Sequence, residues 1–376
     1  MPASGAARIP TVEERHLDAL NRAHDHAQAE LTAMPPLLRE TAEAWLLRGA
    51  TLSLASIRPS WFAGDEPPLL PAPRGYLSED QRDRLEGVRA ALTHVRASLK
   101  QNCPPGRVPL SPEMPFVLNA LAEGRRRPVT PTYPGMLRPV NTRWTVRDHP
   151  YNHPPADWCR DLLAAMSAEY EEFDGHPVVG GAWLMFFFLS IHPFVDGNGR
   201  TSRLLYLLVT SPGIATEIDL GIAEQWIFHR HRYTKALYDG QRQAPGFDVL
   251  RLDARPFVEA TLGWSHAGAQ LTRSRLLAMQ AIWEACGGLD DEARSALLLA
   301  AIEGLVTPDR LPVGIGNYAT RLGTLVGLVE CGYLERVLAP PSRRTPGEPP
   351  RPHFALTNHM ARQLGWAVSA FLDGHA

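Results

Sequence analysis

The chain has 376 residues, enough for two or three domains. It is 44% hydrophobic and 21% charged, with 38 Lys plus Arg against 40 Asp plus Glu, and a formal net charge of −2. These are ordinary globular proportions, and nothing in the overall charge calls for nucleic acid or an anionic membrane. The longest apolar run, the fourteen residues from Val178 to Ile191, is too short to span a bilayer and fits a buried helix.

The start of the chain, Met1 to Pro10, lacks the charged-then-apolar pattern of a secretory signal. Glu13 to Ala50 is rich in Ala, Leu and Glu and is predicted helical, with a break at Pro35-Pro36. Arg58 to Arg74 is rich in Pro and Gly and is predicted to be a loop. Ser78 to Lys100 is predicted helical with Ser78 as N-cap. Ser111 to Arg125 is a further helix, stopped at Arg125-Arg126-Arg127-Pro128, a cluster that suits a helix C-terminus and water. Pro128 to Val146 is extended, and Pro154 to about Ser274 is mainly helical. Asp290 to Leu305 is predicted helical, Val306 to Pro312 a turn, and Gly316 to Gly332 contains a second helix. Tyr333 to Leu338 and His353 to Thr357 alternate as two strands around a Pro- and Arg-rich segment, Ala339 to Pro352. The four cysteines, Cys103, Cys159, Cys286 and Cys331, are scattered without zinc spacing, which points to a reduced cytoplasm. There is no internal repeat.

Chemistry concentrates in twelve residues, His192-Pro193-Phe194-Val195-Asp196-Gly197-Asn198-Gly199-Arg200-Thr201-Ser202-Arg203. Gly197 and Gly199 lack a Cβ, so backbone N–H groups around Asn198 can form an anion-binding nest. Arg200 to Val209 has no Pro or Gly and is predicted helical, which places the nest at a helix N-terminus, where free N–H groups and the dipole favour phosphate. Arg200 and Arg203 are three apart and share a helix face, where two guanidinium forks can hold two phosphates. Asp196 is a hard oxygen ligand suited to Mg²⁺ alongside phosphate oxygens. His192 has the basicity of a general base for a hydroxyl. Pro193 fixes its own φ and biases His192 toward an extended conformation, ending the preceding helix. Phe194 is predicted to turn inward and anchor the loop.

This run resembles the signature of Fic domains, His-Pro-Phe-x-Asp/Glu-Gly-Asn-Gly-Arg with a second Arg after two intervening residues, and every defined position is matched. The resemblance implies a mostly α fold: a helical bundle with a short β-hairpin flap. It implies transfer of AMP from Mg·ATP to a Ser, Thr or Tyr hydroxyl of a protein. By position, His192 would deprotonate the target and Asp196 would hold Mg²⁺. Asn198 and the Gly197 and Gly199 backbone would hold the α-phosphate, and Arg200 and Arg203 the outer phosphates. Phe194 falls in the same nucleotide-binding set. Family members acting as phosphotransferases have Lys at the position of Gly199.

Trp158 to Phe173 and Val178 to Ile191 resemble the helix pair that leads into the motif. Tyr133-Pro134-Gly135-Met136-Leu137-Arg138-Pro139-Val140 resembles the flap, with Leu137 at the usual aromatic position. In the family the flap pairs with target backbone, a form of strand addition. Gln225-Trp226 to Leu237 resembles the helix that closes the adenine pocket, and Tyr233 is its candidate base contact, against a bland reading as core packing. The implied layout is an N-terminal helical region over 1–85 and a catalytic core over 86–275, with its flap about 130–146. The C-terminal part, 285–376, resembles a winged helix.

Many Fic proteins restrain themselves with Ser/Thr-x-x-x-Glu-Gly/Asn, whose Glu pairs with the second motif arginine, here Arg203. Thr51 to Pro59 stands near the expected place, with Arg58 where Glu would be. Asn119 to Gly124 has the Glu123-Gly124 spacing but lies near the flap, and Leu299 to Gly304 ends in Glu303-Gly304. The expectation is therefore an enzyme without the usual built-in inhibition. Two other readings stay open. One is a DNA-binding regulator with a nucleotide-sensing core, its wing carrying Arg343, Arg344 and Arg351; yet Leu305 to Arg362 has only seven Arg against four Asp plus Glu. The other is a different donor: UTP, GTP or CDP-choline. The expected partners are a protein substrate on the flap and DNA or protein at the winged-helix-like part, with no membrane; homo-oligomerisation is left open.

Overall fold

A computed structural model describes residues 8–55, 78–102, 109–124, 133–146, 149–210, 221–244, 247–337 and 352–373. Among them the chain is mostly helical. The helices are α1 (Glu14–Ala33), α2 (Pro36–Leu54), α3 (Glu79–Asn102), α4 (Met114–Glu123), α5 (Cys159–Glu172), α6 (Pro177–Ile191) and α7 (Asn198–Thr210). They continue as α8 (Gly221–Phe228), α9 (Arg230–Gln241), α10 (Arg255–Ala285), α11 (Asp291–Glu303), α12 (Tyr318–Glu330) and α13 (Asn358–Asp373). Two antiparallel hairpins complete the set: β1 (Arg143–Val146) with β2 (His149–Asn152), and β3 (Leu334–Val337) with β4 (His353–Leu356).

The described residues divide into two units. One gathers 8–24, 49–55 and the described part of 78–269; the other gathers 25–48 and the described part of 270–373.

The first unit is built around α6. Its sequence is apolar on every side because every residue from Val178 to Ile191 is buried. Burial of each Leu, Ile, Phe or Val there stabilises the fold by about 1.5–3 kcal/mol. His176 caps the helix, its Nδ1 accepting from the Val178 N–H at 3.2 Å, and Pro177 fills the first turn, where no N–H is needed. α7 packs closely on α6 because Gly181 has no Cβ: an added one would come within 3.0 Å of Tyr206 and Thr210 side-chain carbons. α5 lies against α6, and α3 and α4 lie against α7. The α3 start is a reciprocal capping box. Ser78 Oγ accepts from the Gln81 N–H at 3.2 Å, and Gln81 Oε1 accepts from the Ser78 N–H at 2.9 Å.

The structure corrects several sequence expectations. The segment Gln225 to Leu237 is two helices, broken at His229, which sits at φ −94° and ψ 32°. The Tyr133–Val140 stretch contains a turn at Gly135 (φ 79°) and, among the described residues, an isolated bridge from Leu137 to Phe194, and the regular hairpin pairs β1, at the end of the expected flap range, with β2. Cys103, Arg58, the 125–127 arginine cluster and the Arg-rich segment 339–351 lie outside the described residues.

In the second unit, α11 carries Ser295, whose hydroxyl meets Thr41 of α2 at 2.8 Å, and Glu303, which pairs with Arg48. Glu303 is thus committed to a buried ion pair within this unit. The order α11, α12, β3, β4 is as expected from the sequence, and Val306 adds a backbone bridge to Phe354 of β4. α13 follows β4 directly.

Candidate nucleotide and acceptor site

Every residue of the motif falls between the end of α6 and the first two turns of α7. His192 closes α6 in the left-handed region, at φ 51° and ψ 58°, its N–H bonded to the Phe188 carbonyl at 2.9 Å. The expected extended conformation is not adopted. Pro193 disfavours right-handed α geometry at the residue before it, and the left-handed cap satisfies that restriction while closing the last helical turn.

Phe194 does turn inward: it is buried, edge-on to Phe116 at 5.6 Å and beside Phe188 at 6.0 Å. Asn198 has a different first duty from holding phosphate. Its Oδ1 accepts from the Phe194 N–H at 3.0 Å, and its Nδ2 donates to the Phe194 carbonyl at 2.8 Å. The side chain clamps the loop between Phe194 and the start of α7.

Gly197 has φ 82°, and its N–H donates to Asp196 Oδ1 at 2.7 Å. A Cβ there would stand 2.6 Å from Glu123 Oε1 and 2.7 Å from Asn119 Nδ2. Gly197→Ala is therefore expected to cost at least about 2 kcal/mol, from left-handed strain plus the clash. It should also weaken nucleotide binding; thermal denaturation with and without ATP checks both. Gly199 is less constrained, since its Cβ would meet only Arg203 Nη1, at 3.3 Å.

The two arginines point to different partners. Arg200 Nε is bonded to the Glu123 carboxylate of α4, and its Nη2 lies 3.3 Å from Asp196 Oδ1. The side chains of Arg200 and Glu123 are only 7% and 5% exposed, so this is a buried ion pair. Arg203 donates to the Leu54 carbonyl at the end of α2, at 3.0 Å. Burial, with the nearby charges of Arg200 and Arg230, pulls the Arg203 guanidinium down to about 10. The Asp196 carboxylate is more than half exposed.

Tyr233 sits in an aromatic cluster, edge-on to Phe257 at 5.2 Å and tilted against Trp264 at 6.0 Å. Its hydroxyl is buried against Arg203 and Ser202 without a well-formed hydrogen bond to either. These contacts match the core-packing reading and add a polar tip at the second arginine.

Four residues that sequence reasoning did not place join the site. Asn119 donates to the Asp196 carbonyl at 3.0 Å and to Thr201 Oγ1 at 3.1 Å, and accepts from the flap N–H of Gly135 at 2.8 Å. Glu123, one turn on, holds Arg200; the spacing of Asn119 and Glu123 on one face of α4 was the available signal. Arg138 is buried, and its guanidinium donates to the carbonyls of His192 and Val140, each at 2.9 Å, and to that of Pro154. Its own N–H donates to the Pro193 carbonyl at 2.8 Å, so the flap is stitched to the motif loop. His153, following β2, stacks on His192 with ring centroids 4.4 Å apart and planes 23° apart.

His192 is held neutral. Burial is the main cause, followed by the neighbouring His153 and Arg138, and together they pull it down to about 3, against smaller opposing effects of the Leu189 backbone and Asp196. Burial likewise lowers His153 to about 4. The site thus sets a neutral imidazole beside a helix N-terminus carrying a glycine cradle and two buried guanidinium groups. That set can take a proton from a hydroxyl while holding a polyphosphate.

Residues 118–210 match the family described as Fic/DOC. Two curated relatives are named "Protein adenylyltransferase Fic". That of Drosophila persimilis is 26% identical over 273 residues, covering 66% of this chain and 45% of its own length. That of Drosophila grimshawi is 28% identical over 272 residues, covering 66% of this chain and 47% of its own. The chain spans less than half the length of these relatives. In fold it is similar to a crystal structure of a Fic family protein from Desulfovibrio desulfuricans G20, at a TM-score of 0.50 and 20% identity, over 93% of this chain and 98% of that one. With the motif complete, residues 118–210 match the Fic/DOC family, and the family resemblance belongs to that stretch of the chain.

Proposed function

We propose that the domain transfers AMP from ATP to a hydroxyl of a protein target, releasing pyrophosphate. The observation that carries this reading is the placement of neutral His192 at the end of α6, directly before a glycine cradle that opens α7. The names of the Drosophila relatives support AMP as the transferred group. His192 takes the proton of the target hydroxyl as its oxygen attacks the α-phosphorus and the bond to the pyrophosphate oxygen breaks. The α7 N-terminus and its arginines stabilise the charge on the phosphates.

The fit of Mg²⁺ rests on Asp196. It is an exposed carboxylate beside the cradle, and no cluster of three or more His, Cys, Asp or Glu suited to a metal occurs among the described residues. One protein carboxylate with phosphate oxygens and water is an ordinary Mg²⁺ arrangement. Asp196 would hold the ion, which supplies charge neutralisation on the phosphates.

A protein acceptor is favoured by the flap surface. Tyr133, Met136 and Val140 are 69%, 53% and 62% exposed, and Val195 of the motif loop is also exposed. Such apolar side chains grouped around the flap turn suit a polypeptide. For the C-terminal part we favour protein contact over DNA. On α12 the exposed large hydrophobic side chains are Tyr318 and Val326 and Glu330 is exposed too, whereas Arg321 is only partly exposed, and a DNA reader displays cations.

The test is intact-mass analysis of the purified chain, and of candidate target extracts, with Mg²⁺ and each of ATP, UTP, GTP and CDP-choline. An added AMP with ATP alone is expected. Addition with another donor would keep the mechanism and change the donor. No addition with any of them would overturn the transferase reading.

A further inference from the structure

We infer that His153 is a positioning residue for His192: anchored to α6, its ring covers one face of the His192 imidazole and fixes the plane in which the base meets its acceptor. The inference rests on the transfer reaction proposed above. His192 is the C-cap of α6 and is followed by a loop; its imidazole meets the Leu189 backbone, and the ring face needs a further support to set its plane. Here one face of its ring is covered at 4.4 Å by the His153 ring.

His153 is held from several directions. Its N–H donates to the Thr142 carbonyl at 3.3 Å, continuing the β1–β2 pairing by one residue. The next residue is Pro154, whose carbonyl is held by Arg138. The ring is buried, and its Nδ1 lies 3.1 Å from the Ser190 carbonyl. A carbonyl only accepts, so Nδ1 carries the proton and the tautomer is set. Tyr151 meets the ring edge-on at 5.1 Å, and its hydroxyl donates to the same Ser190 carbonyl at 3.1 Å. Ser190 is fixed in turn, its hydroxyl donating to Phe186 and accepting from Gln241 at 3.0 Å. The chain of contacts therefore runs from the core of α6 through Ser190 to His153 and then to the face of His192. A flat ring is what this arrangement uses. An aliphatic side chain of similar size would fill the space without defining a plane.

The experiment compares His153→Leu with His153→Phe in the full chain. The leucine variant is expected to lose about 10- to 100-fold in kcat, with KM for ATP within about twofold, because misplacement of a catalytic group by about 1 Å costs on that scale. The phenylalanine variant is expected to recover kcat to within about threefold. His153→Gln, which keeps a donor for Ser190 but has no ring, replaces the leucine variant if that chain does not fold. A readout independent of activity is the ¹⁵N spectrum of the His192 imidazole. A single tautomer is expected in the native and phenylalanine chains, and averaged shifts in the leucine or glutamine chain. Native kcat with a single-tautomer spectrum in a ringless variant would overturn the inference. If the native chain transfers no nucleotide, the spectra alone decide it, separately from the proposed reaction.

Discussion

Replacing His192 with alanine is expected to lower AMP transfer by about 10²- to 10⁴-fold, the usual contribution of a general base, while ATP affinity changes little. The imidazole is half-buried, stacked on His153 and near Arg138, and it is not among the groups that hold the cradle closed. Loss of the ring removes the proton acceptor and leaves the Asn198 clamp and the Gly197 turn intact. Rates of labelled-AMP incorporation, with ATP binding measured separately, check both halves; undiminished transfer would remove His192 from the mechanism. The depressed basicity has a consequence for stability. His192 stands near 3 and His153 near 4, both below the ordinary value of 6.5, so the unfolded chain takes up these protons first as pH falls. Their contribution to stability is fully present above pH 6.5 and is lost progressively as pH falls toward 4 and then 3. Bound phosphates, being anionic, would raise the basicity of His192 toward the range where a base works well.

Glu123→Gln is expected to destabilise the nucleotide-free protein by at most about 3–5 kcal/mol, because it leaves the buried Arg200 guanidinium with only the more exposed Asp196 carboxylate, 3.3 Å away, as counter-charge. In a chain of this size that corresponds to a fall in Tm of no more than about 4–6 °C. ATP is expected to raise the Tm of this variant more than that of the native protein, since a polyphosphate can supply the charge that glutamine lacks. Equal ATP-induced shifts would mean that Glu123 stays on Arg200 when nucleotide is bound, acting as a strut with the phosphates held elsewhere. A rise in transfer rate in the variant would instead mean that the α4 carboxylate restrains the enzyme. That restraint would act on the first motif arginine, whereas Arg203 rests on the Leu54 carbonyl.

Most of the helices and the core of the site were legible in the sequence because they are local. The apolar run became α6, the Gly-Asn-Gly segment became the opening of α7, and Ser78 became a cap. What was not legible depends on long-range packing. Glu123 and Arg200 are 77 positions apart, and Arg138 reaches the His192 carbonyl across 54. No local pattern states that a carboxylate on one helix faces a guanidinium on another. Proximity of Asn119 to Gly124 to the flap argued against a place in the site, and that proximity is what puts the segment there. The conformation of His192 was missed because a residue before proline has two escapes from α geometry, and the cap of α6 selects the rarer one. α13 carried no expectation, although Met360, Leu364 and Val368 recur four apart and are buried.

The Asn119 carboxamide has a broader consequence. Its oxygen holds the flap turn at Gly135, and its nitrogen holds both the Asp196 carbonyl and Thr201 at the start of α7. One planar group therefore serves as a common datum for the surface that would receive a target and the cradle that would receive a donor. The outward side chains Tyr133, Met136 and Val140 take no part in that gauge. In the proposed reaction, substitutions on them would alter target preference while leaving the Asn119 contacts that set the spacing between flap and cradle intact.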